Sequence, residues 1–493
     1  MSNNLKNKTI RAAFWRMAEM LCQRAGSLIV SIILARLLMP EEFGTVALLT
    51  IFVSLANVVI NAGFGQALVQ RQHTTPLEES SVYFCNIGMA ILLYGVLYLT
   101  APFVPLFYNK PELTVLCPLL RLSALSLIIG SFGQVQTTLL TKQLHFKPLF
   151  VVSLIVLLAH AIVGIALAYR GAGVWALAWS MLIAGMVRVG LISWLSNWRP
   201  TFQFSFSALA PLFGFGWKLL VSGLLDTFFV QIYGLLIGRF YAPADLGFFN
   251  RGKQIPDVVS MSLTATISSV LFPAMAQVQS DEQRMQRMLE KCLQIVAFLL
   301  WPCLVGLAFT ADPLIRVLLT DKWLPAVPYM QVVSVTMCLY PVHAINLQVL
   351  TATGRSDLFL KLEIIKKMLL VLMLIITVPF GVMAMLYGEL LLSFVAIVIN
   401  TYFTQRLIGY PLYRQIVAVR GTIGAVLMMG IVVGLMRRLT WQDDLVQLGA
   451  QAFAGATVYL AVVHLSRNPA YLELQNLVIE RWNKLKGNRI VYE

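Results

Sequence analysis

Polar side chains recur at helical spacing inside a segment that is otherwise apolar. Thr50, Ser54, Asn57 and Asn61 follow one another at steps of four, three and four residues, so a helix places all four on one face. Polar groups within an apolar helix are costly unless they face protein or a water-filled cavity. The stripe therefore predicts either a hydrated face or a helix–helix contact made by hydroxyl and amide groups.

The same spacing returns 203 residues later in a second apolar segment. Lys253, Asp257, Ser260 and Thr264 occupy the positions that correspond to the first stripe. This copy carries charge, and Arg251 adds a cation near its start. Charged side chains inside an apolar segment mark ion or substrate pathways, and helix packing explains them less well than it explains uncharged groups. We predict that both stripes face water on equivalent helices.

A third polar stripe lies near the N-terminus. Arg24, Ser27 and Ser31 are spaced by three and four residues, which places them on one helix face. Arg24 lies nine residues beyond Trp15, which is roughly 13 Å along a helix at 1.5 Å per residue. At that depth the guanidinium does not reach the membrane surface easily, so we expect Arg24 to face a cavity.

A fourth stripe consists of Lys218, Ser222 and Asp226, at steps of four residues. Lys218 is closer to one face of the membrane, so both a snorkelling position and a cavity position fit it. Arg251 fits either a gate or the rim of a cavity. Asp226 and Asp257 either neutralise these cations or take part in ion coupling, and the sequence leaves both roles open.

Fourteen apolar segments can position these stripes. The chain has 493 residues, of which 59% are hydrophobic and only 12% are charged, whereas soluble proteins carry about 25% charged residues. So few charges cannot cover a water-facing surface of this size, which predicts a protein embedded in lipid. A membrane span needs roughly 20 apolar residues. The segments of that length are 15–38, 43–64, 81–107, 113–140, 148–169, 173–195, 213–238, 247–275, 290–310, 324–350, 362–379, 383–405, 417–437 and 446–465.

The distribution of basic residues predicts the orientation of these spans. Most Lys and Arg residues fall in loops on the same side as both termini, which places that side in the cytoplasm. The net charge of +15 thus reflects membrane topology and indicates no nucleic-acid partner. Because the sequence has neither a long loop for a catalytic domain nor a GxxxxGK[ST] phosphate loop, we expect no enzyme and no ATPase. The six cysteines lack CxxC spacing, so we expect no metal and no cofactor.

An internal repeat relates the two halves of the chain. LARLLMPEEFG at 34–44 matches IGRFYAPADLG at 237–247, with Arg, Pro, an acidic residue and Gly at equal spacing. Six spans separate the copies, so both have the same orientation, as in secondary transporters with a substrate site between two repeats. We predict an all-α integral membrane protein with about 14 transmembrane helices. The predicted parts are an N-lobe of six spans at 1–205, a pseudo-symmetric C-lobe at 206–410, two accessory spans at 411–466 and a cytoplasmic tail at 467–493.

Several segments of the chain resemble a known family. The sequence is similar to the polysaccharide transport family of flippases, within the multidrug/oligosaccharidyl-lipid/polysaccharide superfamily, and most of all to the colanic acid exporter type, often labelled lipopolysaccharide biosynthesis protein. The segments that carry the resemblance are RAAFWRM, LARLLMPEEFGTVALL, NAGFGQALVQR, ADLGFFNRGKQIPDVVS, LFPAMAQVQSD and LTATGRSDLFLKLEIIKK.

The resemblance implies a fold and a transport activity. It implies two six-helix lobes, with helices 1, 2, 7 and 8 lining a cavity. It also implies that the substrate is an undecaprenyl-diphosphate-linked oligosaccharide, which is flipped across the bacterial inner membrane by alternating access. Membrane lipids, a polysaccharide polymerase and export machinery are the partners that fit this role. Arg24, Lys218 and Arg251 would supply cations for the diphosphate, and the coupling ion, proton or sodium, stays open.

Two other functions stay open. A multidrug or small-molecule antiporter of the same superfamily predicts that acids dominate the cavity, whereas here cations are at least as numerous. A membrane glycosyl-polymerase would need a sizeable outer loop with catalytic residues, and the sequence supplies none.

Overall fold

The protein folds into long α-helices. The computed structural model describes residues 2–473 and residue 475. Most of the predicted cytoplasmic tail, from 476 onward, therefore lies outside the described residues. The first eight helices are α1 (Ser2–Leu37), α2 (Pro40–Asn61), α3 (Phe64–Gln70), α4 (Pro76–Thr100), α5 (Val104–Phe107), α6 (Leu116–Lys142), α7 (Phe146–Tyr169) and α8 (Val174–Leu195).

Eight further helices follow. They are α9 (Phe206–Phe240), α10 (Pro243–Gln277), α11 (Glu282–Leu319), α12 (Val327–Ala352), α13 (Ser356–Thr377), α14 (Val382–Ile408), α15 (Leu412–Met436) and α16 (Asp444–Leu465). Among the described residues, thirteen helices are long and apolar enough to cross a membrane. The prediction of an all-α integral membrane protein with about fourteen spans is therefore confirmed.

One predicted span, 362–379, corresponds to α13, which is not among those thirteen helices. Its first half carries Lys361, Glu363, Lys366 and Lys367, and this charge exceeds what a simple apolar span contains. Glu363 and Lys366 form an ion pair at 2.5 Å, so part of the charge is neutralised within the helix.

Helix contacts divide the chain into two compact units, Met1–Phe248 and Phe249–Glu493. The first contains α1 to α9 and the start of α10, and the second contains the remainder. Helix α9, which the repeat assigns to the C-lobe, packs along α2 in the first unit. The predicted lobe boundaries at 205/206 and 410/411 stay predictions.

The repeated motif begins a helix in both copies. Pro40 and Pro243 are the first residues of α2 and α10, a position where the missing proline N–H costs no helical hydrogen bond. The acid two residues later caps the helix, because Glu42 accepts from the Met39 N–H at 2.6 Å and Asp245 accepts from the Ala242 N–H at 3.1 Å. The eighth predicted span thus began four residues too late, at 247.

The glycine of each copy of the motif faces the other copy, within the first unit. A Cβ atom on Gly44 would overlap the carbonyl group of Pro243, and one on Gly247 would overlap the carbonyl group of Pro40. The first turns of α2 and α10 therefore cross with their backbones in contact, which only glycine permits. The spacing of Pro and Gly in the repeat is explained by this reciprocal crossing.

Helix α5 and the loop after it hold the C-terminal end of α9. The Lys110 ammonium donates a hydrogen bond to the Gly238 carbonyl, and the Arg239 guanidinium donates to the Leu106 carbonyl at 3.1 Å. Burial lowers the pKa of Lys110, while the nearby Glu112 opposes that shift. These cations satisfy backbone acceptors and so have a structural role in the first unit.

In the second unit, prolines interrupt two long helices, and side chains from other helices bond the carbonyls they leave free. Pro341 cannot donate to the Met337 carbonyl, which accepts instead from the Ser260 hydroxyl of α10 at 3.0 Å. Pro302 likewise cannot donate to the Phe298 carbonyl, which accepts instead from the Tyr459 hydroxyl of α16 at 2.8 Å. Because lipid offers no hydrogen bonds, these two side-chain bonds to backbone carbonyls make the interrupted helices tolerable in a membrane.

A buried polar cluster joins α15 to the helices of the second unit. The amides of Asn346 and Gln415 bond each other reciprocally, at 3.0 and 2.9 Å, and the Thr404 hydroxyl donates to the Asn346 side-chain oxygen at 2.9 Å. All three residues are buried. Helix α15, which the sequence predicts to be an accessory span, is thus fixed to α12 and α14 by specific hydrogen bonds.

Candidate functional site

The polar stripe of α2 lies on the surface of the first unit. Thr50, Asn57 and Asn61 are exposed, and Ser54 is partly exposed. The Thr50 hydroxyl and the Asn61 amide bond the backbone of α2 itself, at 3.4 and 2.8 Å. The stripe therefore leaves polar surface outside the packed core, and a helix–helix contact does not account for it.

Helix α9 packs along α2 through glycine. A Cβ atom on Gly216 would lie 2.5 Å from the Ala62 carbonyl oxygen, and one on Gly223 would lie 3.2 Å from the side chain of Val58. Each of these contacts is one or two positions from residues of the predicted stripes. The exposed polar residues along the two packed helices are Asn57 and Asn61 of α2 and Lys218, Ser222 and Asp226 of α9.

This part of the first unit therefore groups two of the four predicted stripes. Exposed amide, hydroxyl, ammonium and carboxylate groups are expensive to place against acyl chains. Hydration of this face is the arrangement that avoids the cost. We refer to Asn57, Asn61, Lys218, Ser222 and Asp226 as the α2–α9 polar face.

One residue of the third stripe, Ser27, lines a cavity inside the first unit, whereas Arg24 and Ser31 are not among the lining residues of that cavity. Ser27 is exposed on α1, while Arg24 and Ser31 are partly buried. Ser27 lines a cavity of about 310 Å³ between α1, α7 and α8. The other polar side chains of its lining are Glu19, Gln23, Ser153, His160 and Arg188.

The wall of that cavity contains groups that sequence reasoning overlooked. Glu19 is 4% exposed and pairs with Arg16 at 2.8 Å, and Gln23 donates to the Ser153 hydroxyl at 2.8 Å. His160, a lone histidine in an apolar segment, also lines the cavity. Arg188 could have revealed this cavity from the sequence, because it is a charged residue inside an apolar segment.

The second stripe, on α10, is only partly exposed, and the expectation of a water-facing stripe is wrong for two of its residues. Ser260 and Thr264 are buried, at 0% and 3% exposure. The Ser260 hydroxyl bonds the Met337 carbonyl of α12, and Thr264 donates to the Ser260 carbonyl at 2.7 Å. Their periodicity matches that of α2, but the proline-interrupted α12 occupies this face.

The charged start of the α10 stripe has protein partners. The Arg251 guanidinium donates to the Gln254 side-chain oxygen at 2.6 Å and lies over the Trp323 ring, 5.7 Å from its centroid. The Lys253 ammonium lies 3.8 Å from a carboxylate oxygen of Glu389 on α14. One carboxylate oxygen of Asp257 is buried without a hydrogen-bond partner.

Glu389 is the main residue of this region that the sequence reasoning missed. It is the only acidic residue within the predicted span 383–405, and that isolation was the available signal. Its pairing with Lys253 joins positions 136 residues apart, which periodicity within one helix cannot reveal.

A second cavity, of about 340 Å³, lies among α11, α12, α14 and α15 in the second unit. Its wall is apolar except for Gln415, whose amide is engaged by Asn346. Side chains that represent the lining are Val296, Trp301, Phe394, Val398 and Ile416. Such a wall suits an apolar chain and offers little to a sugar or a phosphate.

The fold and these polar faces define a multi-pass, helical membrane protein. The structure is similar to a lipid II flippase, MurJ, in an inward closed conformation, with a TM-score of 0.73 at 13% identity over 92% of this chain and 98% of that chain. Residues 33–328 match a family described as polysaccharide biosynthesis protein. The chain belongs to that family. Its fold is also similar to that of a multidrug resistance MATE family transporter of the MOP superfamily, with a TM-score of 0.61 at 16% identity over 81% of this chain and 98% of that chain.

Two curated relatives support the same assignment. The teichuronic acid biosynthesis protein TuaB of Bacillus subtilis (strain 168) is 30% identical over 62% of this chain and 62% of its own length. The lipopolysaccharide biosynthesis protein WzxC of Escherichia coli (strain K12) is 25% identical over 84% of each chain. The match thus spans less than two thirds of TuaB.

Proposed function

We propose that this protein is a flippase that moves undecaprenyl-diphosphate-linked oligosaccharide units across the bacterial inner membrane by alternating access, for exopolysaccharide or lipopolysaccharide biosynthesis. Membership of the polysaccharide biosynthesis family supports the substrate class. The similarity in fold to a lipid II flippase supports a membrane-spanning framework that suits a lipid-linked sugar.

The observation that carries the proposal is the α2–α9 polar face. On α9 the polar groups are exposed among mainly apolar residues, such as Val221, Leu225 and Val230, whereas every exposed residue of α2 is polar or charged. Amides and hydroxyls match the donors and acceptors of sugar hydroxyl groups. A hydrated face of this composition lets the saccharide cross the bilayer without losing its hydrogen bonds.

Cationic side chains of the predicted stripes would hold the diphosphate. Lys218 is exposed within the α2–α9 polar face, and Arg24 belongs to the predicted stripe of α1. Charge-assisted hydrogen bonds to phosphate oxygens are about twice as strong as neutral ones. Arg251 is a third candidate, although its guanidinium also contacts Gln254 and Trp323.

The apolar cavity of the second unit would receive part of the prenyl chain. It borders α15, one of the two accessory spans, and its wall presents aliphatic and aromatic carbon. Each buried CH₂ group of a lipid contributes about 0.8 kcal/mol. An apolar site separate from the polar face suits an amphiphilic substrate.

The proposed orientation places both termini in the cytoplasm, because loops on that side carry most of the basic residues. A polysaccharide polymerase and export machinery would then take the flipped unit on the other side of the membrane.

Reconstitution tests the proposal. The purified protein is placed in liposomes with a lipid-linked diphosphate oligosaccharide, and the fraction of headgroups accessible to an added glycosidase is followed. We expect the accessible fraction to rise from the headgroups of the outer leaflet alone toward all headgroups. Accessibility that stays at the protein-free level, with folded protein confirmed, would contradict a flippase.

The same liposomes discriminate the drug-transporter alternative. A multidrug antiporter would move a fluorescent organic cation and leave the lipid-linked sugar in place. We expect the opposite selectivity, because the α2–α9 polar face carries Lys218 beside its single acid, Asp226.

A further inference from the structure

A small group of charged side chains lies between α10 and α14 of the second unit. The Lys253 ammonium is 3.8 Å from Glu389, and the two side chains are 27% and 21% exposed. Asp257 follows Lys253 by one helical turn, so the ammonium interacts electrostatically with both carboxylates. The group thus contains two acids and one base.

Asp257 is the unusual member of this group. Its Oδ1 atom is buried and accepts no hydrogen bond. An ionised carboxylate with an unsatisfied buried oxygen is costly, whereas a protonated carboxyl group is neutral and much cheaper to bury. With Lys253 and Glu389 ionised, a proton on Asp257 brings the net charge of the group to zero.

We propose that Asp257 binds and releases the coupling proton of this transporter, and that Lys253 exchanges between Glu389 and Asp257 as it does so. The inference rests on the proposed flippase function and assigns its coupling ion. When the carboxyl group releases its proton to water, it becomes a carboxylate and the group gains one negative charge. The ammonium is then attracted to Asp257, and its link to Glu389 weakens.

This exchange has a mechanical consequence. The Lys253–Glu389 pair is an electrostatic link between α10 and α14, two helices of the second unit. Loss of the proton weakens that link, and binding of a proton restores it. A single ionisation thus changes how firmly the two helices are held together.

The composition of the group favours a proton over a sodium ion. A metal cation needs several oxygen ligands, and the adjacent ammonium would repel it. Within the described part of the chain, no group of three or more His, Cys, Asp or Glu side chains could hold a metal ion. A proton needs one oxygen atom, and Asp257 supplies it.

Other ionisable groups near these helices have different partners. On α12, which packs against α14, His343 contacts Asn400 at 3.3 Å. On α13, Glu363 pairs with Lys366, and on α11, Asp312 pairs with Arg316. The charged groups that act on Asp257 itself are Lys253 and Glu389.

The first test measures proton binding without transport. Infrared difference spectra of the purified protein, recorded while pH is lowered, report the carbonyl stretch of protonated carboxyl groups. We expect a band in the wild type that is absent from Asp257→Asn and retained in Glu112→Gln, which removes an exposed loop acid. A band that persists in Asp257→Asn would overturn the proposal.

The second test uses the flipping assay with imposed gradients. We expect a pH gradient to stimulate flipping by the wild type at least about tenfold and a sodium gradient to have no effect. Asp257→Asn should lose that stimulation, while Glu112→Gln keeps it. Stimulation by sodium alone would overturn the proton assignment. If the wild type flips no lipid at all, the proposed function fails, and the infrared result still judges the proton site.

Discussion

The Ser260 hydroxyl donates a hydrogen bond to the Met337 carbonyl at 3.0 Å. This carbonyl has no helical donor, because Pro341 lacks the N–H that would bond it. A residue that looks like part of a water-facing stripe therefore supports a broken helix. The Tyr459 hydroxyl does the same for the Phe298 carbonyl beside Pro302. These two bonds join α10 to α12 and α16 to α11, and both act across helices in a region without water.

Ser260→Ala should destabilise the protein by about 1 kcal/mol, because it leaves a buried carbonyl unsatisfied. The measurement is the midpoint of unfolding in mixed detergent micelles. Thr457→Ala is the matched control, since its exposed hydroxyl bonds the Phe453 carbonyl of its own helix. Equal midpoints for Ser260→Ala and the wild type would show that the bond has no energetic role.

Gly44→Ala and Gly247→Ala should each reduce stability by roughly 1 to 3 kcal/mol, because the added methyl group meets a backbone carbonyl that cannot move aside. The yield of monodisperse protein in detergent is the measurement. Gly88→Ala and Gly95→Ala are controls, since a Cβ atom at either position meets no atom within 4 Å. Equal losses in all four variants would contradict the reciprocal crossing.

Lys218→Ala and Arg24→Ala should each lower the rate of flipping at least about tenfold. Loss of one charge-assisted contact to phosphate removes about 1.5 to 3 kcal/mol, and 1.4 kcal/mol corresponds to a factor of ten. The measurement is the initial rate in liposomes at saturating protein. Arg170→Gln, in the exposed turn after α7, is the control and should match the wild type. Normal rates in both test variants would remove these cations from the substrate site.

Ile416→Trp should weaken use of long-chain substrates, because the larger side chain fills the apolar cavity of the second unit. We expect KM for an undecaprenyl-linked substrate to rise at least about fivefold, while KM for a short-prenyl analogue changes little. Ile431→Trp, at an exposed position on the same helix, serves as the control. A similar change for both chain lengths would exclude the cavity as a prenyl site.

The number of spans was predictable because a membrane helix needs about 20 apolar residues, which is a local property of the sequence. The ends of the helices were less predictable from the sequence. The ninth span, predicted at 290–310, belongs to a helix that runs from Glu282 to Leu319. Charged residues such as Arg284 and Arg287 belong to that helix although they lie outside its apolar stretch.

The candidate site was predictable only in part, because periodicity gives the face of a helix but not the partner of that face. Asn57 of α2 and Ser260 of α10 occupy equivalent positions in the repeat. Asn57 is exposed, whereas α12 covers Ser260. Glu389 escaped notice for a related reason, since its importance depends on Lys253, a residue distant in sequence.

Hydration of the α2–α9 polar face can be measured by labelling single cysteines in intact membranes with a charged, membrane-impermeant maleimide. In a background without native cysteines, Asn57→Cys and Ser222→Cys should react at least about tenfold faster than Leu158→Cys, an exposed apolar position on α7. A lipid-linked diphosphate oligosaccharide should slow both reactions. If Asn57→Cys and Ser222→Cys react as slowly as Leu158→Cys, this face contacts lipid and the proposed route for the sugar is wrong.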